Sequence, residues 1–186
     1  MKHIIISFVS LLFVLNSCNS IPTVTRATGA AYEVVVVMDK EIWDGAIGTA
    51  VKEELTAYIP YLPEAEAAMR YTYSRPDQFD SFLKFIRNIL IVNINKNQYT
   101  KVSLLKSSDN WAHGQSVLYL NAPDADMVEA YLAENKGVLV NHFTKEEMRR
   151  AGEILGKHYS MMVMEKVQAK FGININVPQE IGRAHV

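Results

Sequence analysis

The sequence predicts one mixed α/β domain, in which helices pack against a sheet with both parallel and antiparallel strands. Residues 34–37 are four valines with no polar face, and residues 89–94 form a second, mainly apolar run that is rich in β-branched side chains. Such runs are typical of central strands that are covered on both sides. Helical periodicity between them favours parallel pairing through right-handed crossovers. The predicted order is β-α-β-α-β-β-β-α-α-β.

The first half of the chain alternates strands and helices. A strand over residues 32–38 precedes a helix over 41–59, whose apolar residues recur at helical spacing until two prolines stop it. A strand over 69–73 then precedes a second helix, which opens at Pro76. A strand over 89–94 completes this half. The apolar residues of the second helix fall at i, i+3, i+4 and i+7, and they are Phe79, Phe82, Leu83 and Ile86.

The second half begins with strands and ends with helices. Residues 101–106 form a weak strand, and residues 117–120 form a third apolar strand that we expect to be antiparallel to a neighbour. One helix starts near Pro123 and extends to His142. The chain then predicts a second long helix and a last strand over 173–177.

That second long helix has a capping signature. Thr144 and Glu147 have the spacing of a capping box, and Phe143 and Met148 have the spacing of a hydrophobic staple. We therefore expect the helix to begin at Thr144 and to end near Gly172. Its methionines predict a buried core helix, with a partner-binding groove as the alternative.

The amino terminus carries the signature of a lipid anchor. Residues 4–15 contain no charge, and twelve residues are too few to span a bilayer, which needs about 20. They end in Leu15, Asn16, Ser17 and Cys18, which resemble a bacterial lipobox with the only cysteine at its cleavage site. Lipidation of Cys18 by two or three chains would hold the protein durably on a membrane. The alternative is a secreted or cytosolic protein with an apolar start.

The chain divides into four predicted parts. Residues 1–17 are a lipoprotein signal peptide, 18–30 the lipidated Cys18 and a flexible tether, and 31–180 a single domain. Cys18 is followed by Asn19 rather than by Asp, and no acidic cluster follows it. These features favour an outer-membrane anchor with the domain facing the periplasm.

The last six residues, 181–186, have a separate explanation. They match the translation of ATC GGA AGA GCA CAC GTC, which is one frame of a common sequencing adapter. We expect them to be an artefact of sequence assembly, and the natural protein to continue beyond Glu180.

Several segments together resemble a family of Bacteroidetes lipoproteins that is known only as a domain of unknown function. The resemblance covers residues 32–178 and implies periplasmic anchoring but no activity. Its members are longer than this chain. The residues that carry it are the strand 32–38, Trp43, Gly48, Arg87, Asn88, Ile89, Trp111, Gln115, Asn121, Ala122 and Pro123.

Two groups of residues are candidates for a ligand site. Asp39 and Asn93 end neighbouring predicted strands at the carboxyl edge, where open α/β sheets bind ligands. The alternative for Asp39 is a helix cap. Trp111, His113 and Gln115 share one loop and could stack on and hydrogen-bond a sugar or peptide. The alternative for Trp111 is a lid on the core.

Other chemistry is not indicated. The sequence has no G-x-G-x-x-G, H-E-x-x-H or G-x-S-x-G motif, and Gly45 and Gly48 are better explained by close packing of a helix against the sheet. We predict no cofactor and no metal site. With 19 basic and 20 acidic residues and no basic run, we predict no nucleic-acid partner. The favoured function is a non-enzymatic binding or envelope-assembly module, possible partners being envelope proteins, and the alternative is a periplasmic hydrolase at Asp39.

Overall fold

The computed structural model of the chain describes residues 25–80 and 82–179. The predicted lipobox, from Leu15 to Cys18, and the predicted artefact over 181–186 lie outside these residues. Residues 18–30 were expected to form a tether, and the part of it at 25–28 is bonded to the domain. Thr28 N–H donates to Phe85 O at 2.7 Å, and His113 N–H donates to Thr25 O at 2.9 Å.

A mixed sheet forms the centre of the domain. Its strands are β1 (Glu33–Val37), β2 (Arg70–Ser74), β3 (Asn88–Ile94), β4 (Ser103–Ser108) and β5 (Ser116–Ala122), in the spatial order β2-β1-β3-β5-β4. The first three and β5 are parallel, and β4 is antiparallel to β5. The α/β class, the parallel pairing of the first three strands and the antiparallel partner of the third apolar strand are therefore confirmed.

Helices cover one face of the sheet. They are α1 (Lys40–Asp44), α2 (Ala46–Leu55), α3 (Ala125–Glu134) and α4 (Val138–Lys157), whereas the last helix, α5 (Met161–Phe171), contains no buried residue. Val34 and Val36 point to this side, where Leu139 and Phe143 of α4 complete the main core. Val35 faces the opposite side, which is covered by loop residues that include Trp111. The central strand is thus buried on both faces, as the sequence predicts.

The first predicted helix is divided at Gly45, and it ends at Leu55 rather than at residue 59. A Cβ atom on Gly48 would lie 1.9 Å from the carbonyl oxygen of Trp43. Gly48 therefore allows the two short helices to meet, while the Trp43 ring stacks on Tyr73 at 4.5 Å between centroids. The close packing at Gly48 is thus against the preceding helix, rather than against the sheet as expected.

The expectation of a second helix after Pro76 is wrong. The segment forms two short 3₁₀ turns, Pro76–Gln78 and Leu83–Phe85. Asp80 Oδ1 accepts the backbone N–H groups of Phe82 and Leu83, at 3.0 and 3.2 Å. A short side chain that binds nearby amides competes with helical hydrogen bonding, so the apolar spacing does not produce an α-helix here.

The expected start of the long helix at Thr144 is also wrong. Helix α4 begins six residues earlier, at Val138, directly after Gly137, which has a φ of 82°. Glu54 Oε1 of α2 accepts the N–H of Leu139 at 2.6 Å, so a distant carboxylate satisfies the start of the helix. Thr144 lies inside α4, and the helix ends at Lys157, before a separate α5.

The expected last strand over 173–177 is absent from the described sheet. Residues 173–177 adopt no regular structure, and Ile173 and Ile175 are exposed. The segment instead lies along the junction of α4 and α5, where Ser160 N–H donates to Val177 O at 2.9 Å. Alternating apolar residues alone did not place this segment beside an edge of the sheet.

Candidate functional site

A buried ionic network crosses the amino edge of the sheet. Glu147 of α4 is only 3% exposed, yet it lies among strand residues that begin β3. Its Oε1 accepts from Asn88 Nδ2 at 2.8 Å and from Arg150 Nη1 at 2.7 Å. Its Oε2 accepts from Arg87 Nη1 at 3.2 Å. A buried carboxylate is stable only with such partners, so this network fixes α4 against the sheet.

Arg150 is the most fully bonded member of the network. Its Nε donates to Gly114 O at 3.1 Å, its Nη1 also donates to Asn88 Oδ1 at 2.9 Å, and its Nη2 donates to Arg87 O at 3.1 Å. Burial lowers the pKa of Arg150, and the charge of Glu147 opposes that shift. Arg150 therefore acts as a rigid cross-link between three segments.

The local sequence explains why these side chains meet. Glu147 and Arg150 are three residues apart in α4, so they lie on one face of the helix. Asn88 is the first residue of β3, and its Nδ2 also donates to the carbonyl of Glu33 at 3.0 Å. All of its amide hydrogen-bonding groups thus have partners in the described structure.

An open cleft of about 360 Å³ lies beside this network. Its wall contains four permanent cations, Arg26, Arg87, Arg150 and Lys157, but only one carboxylate, Glu153. That carboxylate accepts from Arg149 Nη1 at 2.6 Å, and Arg149 Nε also donates to Glu146 at 2.9 Å. We call this feature the cationic cleft. Its other lining residues are Ala27, His113, Gly114, Ile154 and His158.

Different cations of the cleft have different roles. All three side-chain nitrogens of Arg150 donate to the protein. Arg87, by contrast, makes one side-chain hydrogen bond among the described residues, and its Nε is buried without a partner there. Arg87 Nη2 makes no hydrogen bond among the described residues and is a donor for an anion, while Arg150 positions the loop around it.

The sequence over residues 27–156 matches a family described as a domain of unknown function, DUF8532. The chain belongs to the DUF8532 family. The match includes the complete network around Glu147, whereas Lys157 and His158 of the cleft lie just beyond it. No curated protein and no solved structure matches the chain.

Within the DUF8532 domain, the predicted loop of Trp111, His113 and Gln115 divides into two roles. His113 lines the cationic cleft, and its Nδ1 lies 3.1 Å from Asp109 Oδ2. Burial alone would raise the pKa of Asp109, but hydrogen bonds from Gly114 N–H, His113 and Gln115 N–H hold that pKa below its ordinary value. The carboxylate thus fixes this turn.

The other two residues of the loop face the protein. Gln115 Nε2 donates to Lys84 O at 2.6 Å and to Ile86 O at 2.7 Å, while its Oε1 accepts from Trp111 N–H. The Trp111 ring meets Phe79 edge-on at 5.5 Å, against the smaller core cluster. This geometry matches the core-lid alternative for Trp111.

Asp39 and Asn93 lie at the opposite, carboxyl edge. Asp39 is exposed at the position before α1, and its side chain makes no capping hydrogen bond. Asn93 Nδ2 donates to Asn121 Oδ1 at 2.8 Å on the adjacent strand. Neither residue lines the cationic cleft or the second described cleft.

The second cleft, about 430 Å³, lies between α2, α3 and α4 and is mainly apolar. Burial raises the pKa of Glu54 on its wall, and the backbone N–H groups of Leu139 and Val140 oppose that shift. Because Glu54 already caps α4, its carboxylate has a structural role. This cleft offers fewer directed polar groups than the cationic cleft does.

Ser116 and His142 have the spacing of a catalytic pair. Ser116 Oγ lies 2.8 Å from His142 Nε2. However, Ser116 is buried as the first residue of β5, and neither residue lines a described cleft. A nucleophile must reach its substrate, so this pair serves the packing of α4 against the sheet.

The described residues contain neither a group of metal ligands nor a helix that could cross a membrane. Across 25–80 and 82–179, no three His, Cys, Asp or Glu side chains are grouped as metal ligands would be. Over the same residues, no helix has the length and apolar character needed to cross a membrane.

Sequence reasoning missed the network and most of the cleft. It assigned Glu147 to a capping box, and it quoted Arg87 and Asn88 only for a family resemblance. The available signal was a pair of opposite charges, Glu147 and Arg150, at helical spacing on the apolar face of α4. A charge pair on such a face indicates a buried partner elsewhere in the chain.

Proposed function

We propose that this DUF8532 domain is a non-enzymatic binding module that binds an anionic ligand in the cationic cleft. The proposal places it at the periplasmic side of the outer membrane, anchored by lipid on Cys18. The observation that carries the binding role is an open cleft whose wall contains four cations, one of which, Arg87, makes a single side-chain hydrogen bond among the described residues. Guanidinium groups in such a setting bind phosphate or carboxylate groups well.

The rigid wall of the cleft supports this role. Arg150 links Gly114, Asn88 and the Arg87 carbonyl, so the donors are held before a ligand arrives. Preorganised donors lower the entropic cost of binding. The cleft walls offer cations and backbone groups rather than a nucleophile beside a positioned base, which supports binding rather than hydrolysis. The Asp39 hydrolase has no comparable observation in its favour.

The anchoring part of the proposal depends on the sequence. Leu15, Ser17 and Cys18 suit a lipobox, and the resemblance to Bacteroidetes lipoproteins agrees with an envelope location. An envelope protein partner remains part of this proposal. A direct test is Cys18→Ser, which should remove the lipid mass and release the protein from the membrane fraction. Unchanged mass and membrane association after this substitution would contradict the anchor.

Binding can be tested by titrating inorganic phosphate into the protein while backbone N–H signals are followed by NMR. We expect shifts centred on Arg87 and Gly114. Arg87→Gln should weaken phosphate binding about tenfold, because a charged hydrogen bond contributes about 1.5–3 kcal/mol. The control is Lys96→Gln, which removes one exposed cation from the turn after β3, at the opposite edge. Equal weakening in both variants, or no cleft shifts in the native protein, would refute a specific anion site.

Arg87 also contacts Glu147, so a second variant protects the test from a folding effect. Arg26→Gln changes a cleft cation whose side chain is exposed. We expect several-fold weaker phosphate binding with an unchanged unfolding temperature. A stable Arg26→Gln protein with native affinity would remove Arg26 from the proposed site.

A further inference from the structure

We infer that the cationic cleft docks the domain onto phosphate headgroups of the membrane that carries its lipid anchor. This inference rests on the proposed function, since it assumes both the anchor at Cys18 and the anion site. It adds the source of the ligand, which is the membrane surface rather than a soluble compound.

The first argument is the point at which the chain enters the domain. Residues 25–28 form parallel bridges with His113 and Ile86 at the amino edge of the sheet. Arg26 and Ala27 belong to this segment, and both line the cationic cleft. The cleft therefore lies directly at the attachment point of the segment that leads back to Cys18.

The second argument is the short distance to the anchor. Six residues lie between Cys18 and Thr25, so the two are seven residue steps apart. A fully extended chain of that length spans at most about 25 Å. Thr25 is hydrogen-bonded to His113, so the end of the tether is fixed beside the cleft. A lipid on Cys18 thus keeps the cleft close to headgroups at a high effective concentration.

The third argument is the composition of the rim. Arg26 and Lys157 are exposed basic residues that line the cleft from different segments, and Ile154, which also lines it, is 61% exposed. Cations with an exposed apolar side chain suit a membrane interface, where charge attraction and shallow insertion act together. Each basic side chain near an anionic surface strengthens binding about fivefold, equivalent to about 1 kcal/mol.

The acidic groups near the rim are already engaged. Glu153 and Glu146 share Arg149, Asp109 lies beside His113, and Glu147 is buried between Arg87 and Arg150. The remaining field at the mouth is therefore positive, although the whole chain has a formal net charge of −1. This local excess of positive charge contrasts with the slightly negative net charge of the chain, and it attracts anions to the face that contains the cleft.

A vesicle-binding experiment tests the inference with a protein that lacks the lipid anchor. The protein is the processed chain from residue 18 with Cys18→Ser, and the vesicles are phosphatidylcholine with or without phosphatidylglycerol. Co-sedimentation should show binding to the anionic vesicles only, and added salt should weaken it. Arg26→Gln and Lys157→Gln should each lower the partition coefficient about fivefold. Lys96→Gln is the matched control and should leave it unchanged.

Soluble glycerol phosphate provides the second arm, because it presents the same phosphate chemistry without a surface. Weak binding of this compound together with strong binding to anionic vesicles would support the inference. Tight binding of glycerol phosphate without vesicle binding would overturn it, while the proposed anion site would stand. Absence of both would overturn the inference and the anion site together. An equal loss of vesicle binding in Lys96→Gln would overturn docking through this cleft.

Discussion

Replacing Glu147 with Gln tests the buried network at its centre. The substitution keeps the shape of the side chain but removes the charge that faces Arg87 and Arg150. Two guanidinium groups would then share a largely buried site without a counterion. Removing one partner of a buried ion pair typically costs about 3–5 kcal/mol. We expect a loss in this range from the free energy of unfolding.

This loss is large for a domain of this size. Folded domains are typically stable by about 5–15 kcal/mol, so the variant would lose a substantial fraction. For about 150–250 residues, each kcal/mol lowers the unfolding temperature by about 2–4 °C, which gives roughly 6–20 °C in total. Urea denaturation followed by circular dichroism would measure the free energy, and a thermal scan would measure the temperature.

The matched control is Glu153→Gln, on the same helix but with its carboxylate exposed. Its pair with Arg149 is a surface contact and should contribute about 0–1 kcal/mol. A double-mutant cycle of Glu147→Gln with Arg150→Gln should give a coupling energy of at least about 1 kcal/mol. If Glu147→Gln costs no more than Glu153→Gln, the network does not stabilise the fold and our reasoning fails.

Three other predictions concern local packing, helix starts and pH. Gly48→Ala should destabilise the domain by about 1–3 kcal/mol, because the added methyl group would lie 1.9 Å from the Trp43 carbonyl oxygen at the end of α1. Gly152→Ala is the control and should be neutral or stabilising, since the space around Gly152 is open. Equal effects of the two substitutions in urea denaturation would contradict this packing. Asp124→Ala should lower the free energy of unfolding by about 1 kcal/mol, because Asp124 Oδ1 caps α3 by accepting the Met127 N–H at 2.9 Å. Thr144→Ala, inside α4, should change it by no more than about 0.5 kcal/mol. A larger loss at Thr144 would support a helix start at that residue. Burial lowers the pKa of His142, and nearby basic groups lower it further. The unfolded chain therefore binds more protons, and the stability of the fold should decrease as the pH drops below about 6.5. His142→Gln should make stability depend less on pH between neutral and mildly acidic conditions, and an unchanged dependence would show that His142 is not its source.

The sequence by itself determined the central sheet. Residues 34–37 are apolar at every position, which requires cover on both faces, and the structure buries Val34 and Val35 on opposite sides. The alternation of strands and helices also predicted parallel pairing. Both features follow from the spacing of apolar residues within short segments, so a short stretch of sequence is sufficient to indicate them.

Only the tertiary structure decided where α4 begins and what Glu147 does. Thr144 and Glu147 have the spacing of a capping box, which is worth about 1 kcal/mol. Against it stand Glu54, which caps α4 from 85 residues away, and Arg87, which pairs with Glu147 from 60 residues away. Leaving the buried Glu147 without its partners would cost several times what a local cap contributes, so the distant partners prevail.

The site follows the same logic. Among the predicted ligand residues, His113 lines the cationic cleft, while Trp111 and Gln115 are turned into the protein and Asp39 lies at the other edge. The cleft brings together an amino-terminal segment, the start of a strand, a loop and the end of a helix. The sequence pattern of any one of these segments does not indicate that the other segments lie next to it. Their meeting depends on the fold that buries Glu147, because that carboxylate fixes the positions of the arginines around it.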